Sequence, residues 1–402
     1  MSELRKISRR EFMKRTGQAS GGLVFALTFA SACQPSEQAV GPAAKAVSPN
    51  VYVNIRNDGI VEIVCHRSEM GQGIRTSLPQ VIADELEADW DKIEVIQAIG
   101  HEKYASQNTD GSTSIRMQFD LLRNAGATAR DMMITAAAGQ WGVPTSECHA
   151  RGHAVHHEGS SRSVGFGDLV DAASDLPQPE SAEFKSREDY RYIGKPMDTI
   201  DGMAFTTGAA VYGTDVVLPG MLYASIERCP AFGGTIASLD DSAARNVAGV
   251  VDVVRLPDPT IPPAFNLQGG VAVLASDTWS AEQGRAALDI NWDRGANTVY
   301  SSDTYREQLI KSVTSPGTPV QSRGDADAPA ESTHEAIYYA PHLAQAPMEP
   351  PAATARVNDD GTCEVWACTQ DPQSARDTLA AVLGVDKEQI TVNVTMLGGG
   401  FG

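Results

Sequence analysis

The sequence predicts an α+β protein, and two observations carry that reading. Short runs alternate apolar and polar residues and end in Asn, Asp and Gly turns, as half-buried strands do. Among them lie a few longer stretches whose apolar residues recur every three or four positions, as in helices.

The elements follow in order. Val51, Val53 and Ile55, then Asn57-Asp58-Gly59, then Val61, Ile63 and Cys65 read as a hairpin. Leu78, Val81, Ile82 and Leu86 recur at helical spacing up to Trp90, and Ile93 to Ala98 is a strand. A loop of small polar residues, Thr109 to Ser114, precedes a helix from about Met117 to Ala138. Its candidate core is Met117, Leu121, Leu122, Ala125, Met132 and Met133. Residues 149–164 read as a further hairpin, and Asp168-Leu169-Val170 opens a short helix.

Composition shifts near Arg187–Met197, and a second unit begins with turns at Tyr212-Gly213-Thr214-Asp215 and Leu218-Pro219-Gly220. Met221 to Arg228, Val250 to Leu256, Val271 to Ala275 and Leu288 to Trp292 are expected strands, with a helix from Ser280 to Leu288. Residues 294–332 are a polar connector holding one helix. A third unit starts at His334. There Thr354–Val357 and Cys363–Cys368 flank Asn358-Asp359-Asp360-Gly361 as a hairpin, and Asp371 to Leu383 is a helix stopped by Gly384. Ile390 to Leu397 is a strand that runs into Gly398-Gly399-Gly400-Phe401-Gly402. A strand feeding a triple-Gly loop leaves backbone groups in need of partners, so the chain is expected to be a fragment that continues past residue 402.

At 402 residues, two to four domains fit, and 42% apolar residues suffice for real cores. The net charge is -19. Residues 1–32 carry six bases and two acids, a net +4, which leaves -23 on the rest. A body that acidic argues against nucleic acid and against docking on an anionic membrane. The N-terminus reads as an address. No charge occurs from Thr16 to Ser36, and the apolar run from Leu23 to Ala32 is short for a bilayer but suits a signal-peptide core. Ser8-Arg9-Arg10-Glu11-Phe12-Met13-Lys14 resembles the twin-arginine export signal, which implies a periplasmic protein. Cys33, after Ala30-Ser31-Ala32, is a candidate lipid anchor, with Ala30 where Leu is usual. The five later cysteines form no CxxC pair, so no iron–sulfur pattern is present in this chain.

Two Gly-rich loops could approach a ligand closely: Gly71-Gln72-Gly73 and Gly398 to Gly402. The second follows a strand but lacks GxGxxG spacing, which disfavours a nicotinamide dehydrogenase. No GxxxxGK[ST], GxSxG or HExxH occurs. His153, His156, His157 and Glu158 could ligate a metal, but the alternation around Ala154-Val155 fits a solvated hairpin better. Glu349 in Met348-Glu349-Pro350 reads as a turn residue or a buried acid.

Four separated segments then carry a specific resemblance. Trp366-Ala367-Cys368-Thr369-Gln370-Asp371-Pro372, with Val394 to Gly402, resembles the molybdopterin-binding region of the xanthine dehydrogenase/aldehyde oxidase family. Tyr212-Gly213-Thr214-Asp215 to Tyr223 resembles the start of that family's α/β-hammerhead domain, and Pro341-His342 to Pro350 the opening of its cofactor domain. Glu69-Met70-Gly71-Gln72-Gly73 and Asn108 to Ser114 resemble motifs that in xanthine dehydrogenase follow the Gly-rich loop. Here they precede the hammerhead, a permuted order similar to the large subunit of isoquinoline 1-oxidoreductase.

The resemblance implies a hammerhead domain (198–295) inserted between parts of a molybdopterin-binding domain (50–192 and 334–402), after a signal peptide (1–32) and a linker (33–49). It implies molybdenum-molybdopterin, in the cytosine dinucleotide form, with the metal held by the pterin and not by the protein. Gly71, Gln72, Gly73, Gly111, Ser112, Thr113, Ser114, Gln370, Gly399, Gly400, Phe401 and Gly402 would contact that cofactor. Amides suit the task because they donate to oxo groups without adding charge. The implied partners are a small [2Fe-2S] subunit and a cytochrome c, and the implied substrate an aldehyde or N-heterocycle. The family's base glutamate is expected beyond residue 402, so this chain alone should not turn over. Gln345 stands where His is expected. The runner-up is a non-catalytic exported binding or assembly module.

Overall fold

A computed structural model describes residues 45–262, 267–325, 328–344 and 346–400. The export signal, Cys33, Gln345, Phe401 and Gly402 lie outside the described residues. The chain forms two compact units: residues up to Val216 together with Pro347 onward, and Val217–Ala346 between them.

The first unit opens with strands β1 (Ala46–Asn50), β2 (Val53–Arg56) and β3 (Val61–Cys65), then helix α1 (Ile74–Leu86) and strand β4 (Ile93–Gln97). They form one sheet in the order β1-β2-β3-β4, antiparallel except for the parallel β3–β4 pair that α1 bridges. β1 corrects the expected linker, which ends at residue 49: Val47 is buried and pairs with Ile55. The alternating Val53, Ile55, Val61, Ile63 and Cys65 meet Leu78, Val81, Ile82 and Leu86 of α1 in one core. Helix α2 (Phe119–Trp141) crosses α1 at Gly126, where a Cβ would sit 2.5 Å from the Ile82 carbonyl oxygen. Leu122, Ala125, Met132 and Met133 are buried as expected, but Met117 and Leu121 are 65% and 38% exposed. Met117 precedes the helix, and Leu121 falls one position off the stripe through Leu122, Ala125, Ala129 and Met133. Strands β5 (Cys148–Arg151), β6 (Ala154–His157) and β7 (Arg162–Gly165) make a small antiparallel sheet, followed by helices α3 (Val170–Ser174) and α4 (Gly202–Thr207).

The second unit holds β8 (Tyr223–Glu227), β9 (Thr235–Asp240), α5 (Ser242–Arg245), β10 (Val250–Leu256), β11 (Gly270–Ala275), α6 (Thr278–Ala286), β12 (Asp289–Asp293) and α7 (Ser302–Val313). β10-β11-β8 form one antiparallel sheet and β12-β9 a second. Val253, Val271 and Val273 share a core with Ile236 and Ala244. The sequence reading missed β9 because only Ile236 along it is buried, so its alternation is weak.

The chain then returns to the first unit as β13 (Ala353–Val357), β14 (Cys363–Ala367), α8 (Pro372–Leu383) and β15 (Ile390–Val394). β13–β14 is the expected hairpin, while β15 pairs parallel to β14 after the α8 crossover. Asp371 caps α8 by accepting from the Ser374 N–H, and Gly384 ends it at φ 67°. Residues 198–216 were expected in the hammerhead but pack on the first unit. Asp201 pairs with Arg75 at 2.8 Å, the Ile200 N–H donates to Thr76 Oγ1, and Tyr212 bridges to Met396. The second unit in turn extends past residue 295 to Ala346.

Candidate functional site

The Glu69–Gly73 loop, between β3 and α1, is built around one carboxylate. Glu69 is 4% exposed. Its Oε1 accepts from the Gly71 and Gly73 N–H groups at 2.8 and 3.0 Å, and Oε2 from the Arg75 N–H at 3.0 Å. Gly73, the N-cap of α1, has no side chain to satisfy the first turn, so Glu69 does so and places negative charge at the positive helix end. Gly71 and Gly73 have φ of 94° and 82°, which a side chain would strain. Gln72 Oε1 accepts from the Met70 N–H at 2.6 Å, and its Nε2 donates to the Ser68 carbonyl at 3.0 Å.

Ser68 joins this loop to two others. Its N–H donates to Thr109 Oγ1 at 3.0 Å and its hydroxyl to the Thr369 carbonyl at 2.6 Å. Thr109 and Gln370 are paired twice: the Thr109 N–H donates to the Gln370 carbonyl, and Gln370 Nε2 to the Thr109 carbonyl. A cavity of about 500 Å³ opens between these loops. Gln72, Gly111, Ser112, Ser114 and Gln370 line it, with Met70, Ile74 and Ile115 supplying apolar surface. Five of the twelve expected contact residues therefore share one cavity, although they come from segments far apart in sequence. Thr113 is not among its lining residues, and its hydroxyl donates to the Asp110 carbonyl.

The Gly-rich loop after β15 is fixed by close approach. A Cβ on Gly400 (φ 72°) would lie 2.3 Å from the carbonyl oxygen of Met70, a cavity-lining residue. Gly398 abuts Glu349, whose N–H donates to the Gly398 carbonyl. Glu349 is half-buried and does more than turn the chain: its Oε1 accepts from the N–H and hydroxyl of Thr214 at 2.8 and 2.7 Å.

The histidine cluster is structural. His153 accepts from the Asp89 N–H and donates to the Gly59 carbonyl; His157 lies against Ser160 and Glu147. No metal-ligating group of three occurs among the described residues, and the five described cysteines are free thiols.

Sequence reasoning missed two residues beneath the site. His66 and Arg67, directly after β3, are 0% and 1% exposed; Nε and Nη1 of Arg67 have no hydrogen-bond partner, and the His66 ring has the Gln118 side chain beside it. Such orphans are uncommon in folded cores and mark places where something other than stability decides the residue. Burial, then the Arg67 charge, push His66 down to about 4 from 6.5. The unfolded chain therefore binds a proton below pH 6.5 that the folded chain refuses until pH 4. Stability should drop by about 3 kcal/mol as pH falls through that window, and His66→Phe should remove that part of the slope in urea melts at stepped pH. An unchanged slope would show that His66 is not held neutral.

The residues fit a flat, oxygen-rich cofactor. Glycines without Cβ leave room for backbone approach. Each glutamine amide has two N–H donors and spends one on a backbone carbonyl, Gln72 on Ser68 of its own loop and Gln370 on Thr109 of another, so one from each remains for a ligand.

Residues 3–217 and 310–402 match two molybdopterin cofactor-binding domain families. The isoquinoline 1-oxidoreductase subunit beta of Brevundimonas diminuta is 32% identical over 99% of this chain and 56% of its own length. A protein of Gluconacetobacter polyoxogenes named a membrane-bound aldehyde dehydrogenase (pyrroloquinoline-quinone) is 30% identical over 100% of this chain and 52% of its own. This chain thus spans about half the length of these curated relatives. Quinoline 2-oxidoreductase from Pseudomonas putida 86 superposes on 52% of the chain and 31% of its own at 21% identity, with a TM-score of 0.38, a likeness too slight to build on. No helix among the described residues is long and apolar enough to cross a membrane. With residues 3–217, more than half of the chain, matching one such domain and residues 310–402 matching a second, the chain belongs to the molybdopterin cofactor-binding family of the xanthine dehydrogenase/aldehyde oxidase proteins.

Proposed function

We propose that this chain is the cofactor-binding part of an exported molybdenum hydroxylase that oxidises an aldehyde or hydroxylates an N-heterocycle with water as the oxygen donor. The observation that carries the reading is the shared cavity: two amides and the Gly111–Ser114 loop converge on it, in a chain of a molybdopterin-binding family. Both substrate classes occur in the names of relatives. One relative's name gives pyrroloquinoline quinone; the match of this chain to molybdopterin-binding domains favours the pterin.

In this reading the bound molybdenum, held by the pterin, supplies the redox centre and the activated water. The remaining N–H groups of Gln72 and Gln370 would hold the group by donating to its oxygen atoms or to the pterin, where a neutral donor adds no charge. The Gly111–Ser114 loop and the Gly399–Gly402 backbone hold the pterin and its phosphate, in the cytosine dinucleotide form. Met70, Ile74 and Ile115 give the cavity its apolar, water-excluding side. Electrons leave through a small [2Fe-2S] subunit and a cytochrome c, in the periplasm, with Cys33 as a candidate lipid anchor.

The test is turnover by the purified holoenzyme in heavy-oxygen water, with benzaldehyde and isoquinoline as substrates. Incorporation of the heavy atom into carboxylate or lactam product, lost with Gln370→Ala, is the expected result. Product oxygen drawn from dioxygen, or activity that needs added pyrroloquinoline quinone, would overturn the proposal.

A further inference from the structure

The second unit holds a cavity of its own, of about 790 Å³. It opens at the end of the β9–β12 pair where Thr235 meets Asp293, between the Pro230–Phe232 turn, the short helical turn Gly295–Val299 and the first turns of α7. Its walls are held by close contacts. A Cβ on Gly234 would lie 2.3 Å from Cys229 Sγ and 2.9 Å from the Asp293 carbonyl oxygen, so only glycine lets these strands meet there. Asn297 Nδ2 donates to the Phe232 carbonyl at 2.7 Å, which ties two walls together. The Tyr300 hydroxyl lies 3.2 Å from His342 Nδ1, their rings stack at 6.2 Å, and the Tyr305 ring is 5.5 Å from both.

The lining is aromatic with a single charge. Phe232 and Tyr300 are 58% and 53% exposed, and Tyr305 lines the cavity beside them. Apolar surface gathered in a concavity marks a binding groove, whereas single exposed residues scattered over a surface do not. Arg294 is the one charged side chain in the lining. Its guanidinium has no hydrogen bond or ion pair among the described residues, and neither has the Gln308 amide next to it in the lining. The chain carries 51 acids against 32 bases, yet no Asp or Glu lines this cavity; Asp303 and Glu307 of α7 are not among its lining residues. An anion therefore meets no carboxylate there, and it meets a cation with nothing else to bind.

Together these features select a flat ring that carries a negative charge. Aromatic rings pack on the ring of such a ligand, and the planar fork of a guanidinium matches the two oxygens of a carboxylate. We propose that this cavity is a ligand site of the second unit that takes a planar aromatic carboxylate. The site goes beyond the cofactor reading and does not depend on it. Where that reading holds, an aromatic carboxylate is the class of product that oxidation of an aromatic aldehyde makes.

The probe is benzoate, titrated by calorimetry at low ionic strength, with benzamide as its neutral counterpart. The protein is the full-length chain, both as holoenzyme and as purified from cells that make no molybdopterin. Wild type should bind benzoate at least about tenfold more tightly than benzamide in both preparations. Arg294→Gln should lose that preference and keep its affinity for benzamide. Phe232→Ala should weaken the binding of both ligands. Both residues are exposed, so both variants should melt as wild type does, and Arg294→Gln should leave turnover unchanged. No benzoate binding by wild type, equal affinity for benzoate and benzamide, or an Arg294→Gln variant that keeps the preference would overturn the proposal. Benzoate binding confined to the holoenzyme would place the ligand at the cofactor and overturn it too. Protein that carries no pterin yet shows the Arg294-dependent preference would contradict the cofactor reading alone.

Discussion

Glu85→Ala should destabilise the first unit by about 3–5 kcal/mol, a large part of the 5–15 kcal/mol typical of a domain. The side chain is 0% exposed on α1 and accepts from Arg123 Nε at 2.7 Å, Arg130 Nη1 at 3.1 Å and the Lys185 N–H at 3.0 Å. Both arginines sit on α2, so one carboxylate ties the crossing helices to the strap at residue 185. Its loss leaves two mostly buried guanidinium groups without their counter-charge, which costs more than the pair itself contributes. Neighbouring acids do not compensate: Asp84 and Glu87 are already engaged by Lys185 and Arg191. Urea unfolding followed by fluorescence of Trp90 and Trp141 would measure it. A loss below about 1 kcal/mol would mean that water reaches these arginines and the network is ordinary surface pairing.

Gly400→Ala should release the cofactor while leaving the fold in place. The new Cβ would meet the Met70 carbonyl oxygen at 2.3 Å and occupy a left-handed backbone, which adds roughly 1–2 kcal/mol of strain. The loop must move, and Met70 lines the cavity it abuts. Losing one or two charge-assisted backbone contacts predicts a fall of about tenfold or more in cofactor affinity. Gly384→Ala is the control. It has similar φ, 67°, but open space around it, so it should cost about 1 kcal/mol of stability and no cofactor. Equal pterin content in both variants would show that the Gly398–Gly400 loop does not shape the site.

Much of this was legible in the sequence because it rests on local physics. Period-two runs such as Val61, Ile63 and Cys65 have few alternatives when a Gly turn precedes them, and Gly384 stops α8 where expected. The pairing of β15 with β14 and the crossing at Gly126 depend on contacts between distant segments, which no local pattern encodes. Ala46–Asn50 reads as linker because it contains Ser48 and Pro49, yet Val47 finds a place in the core. For the candidate site, the motifs name residues but not their arrangement, and five of the twelve line one cavity. The Gln72 and Gln370 amides spend half their donors holding loops, and Glu69, inside its motif, acts as a cap and not as a ligand. His66 and Arg67 precede that motif in plain view. What sets them apart is full burial, with two Arg67 nitrogens unpartnered, and only the folded chain shows that.

The most direct measurement is the molybdenum and pterin content of the purified full-length protein, by metal analysis and fluorescence of the oxidised pterin. Both are expected in amounts equimolar with the polypeptide. Protein that folds and is exported but carries neither, or carries pyrroloquinoline quinone in their place, would contradict it.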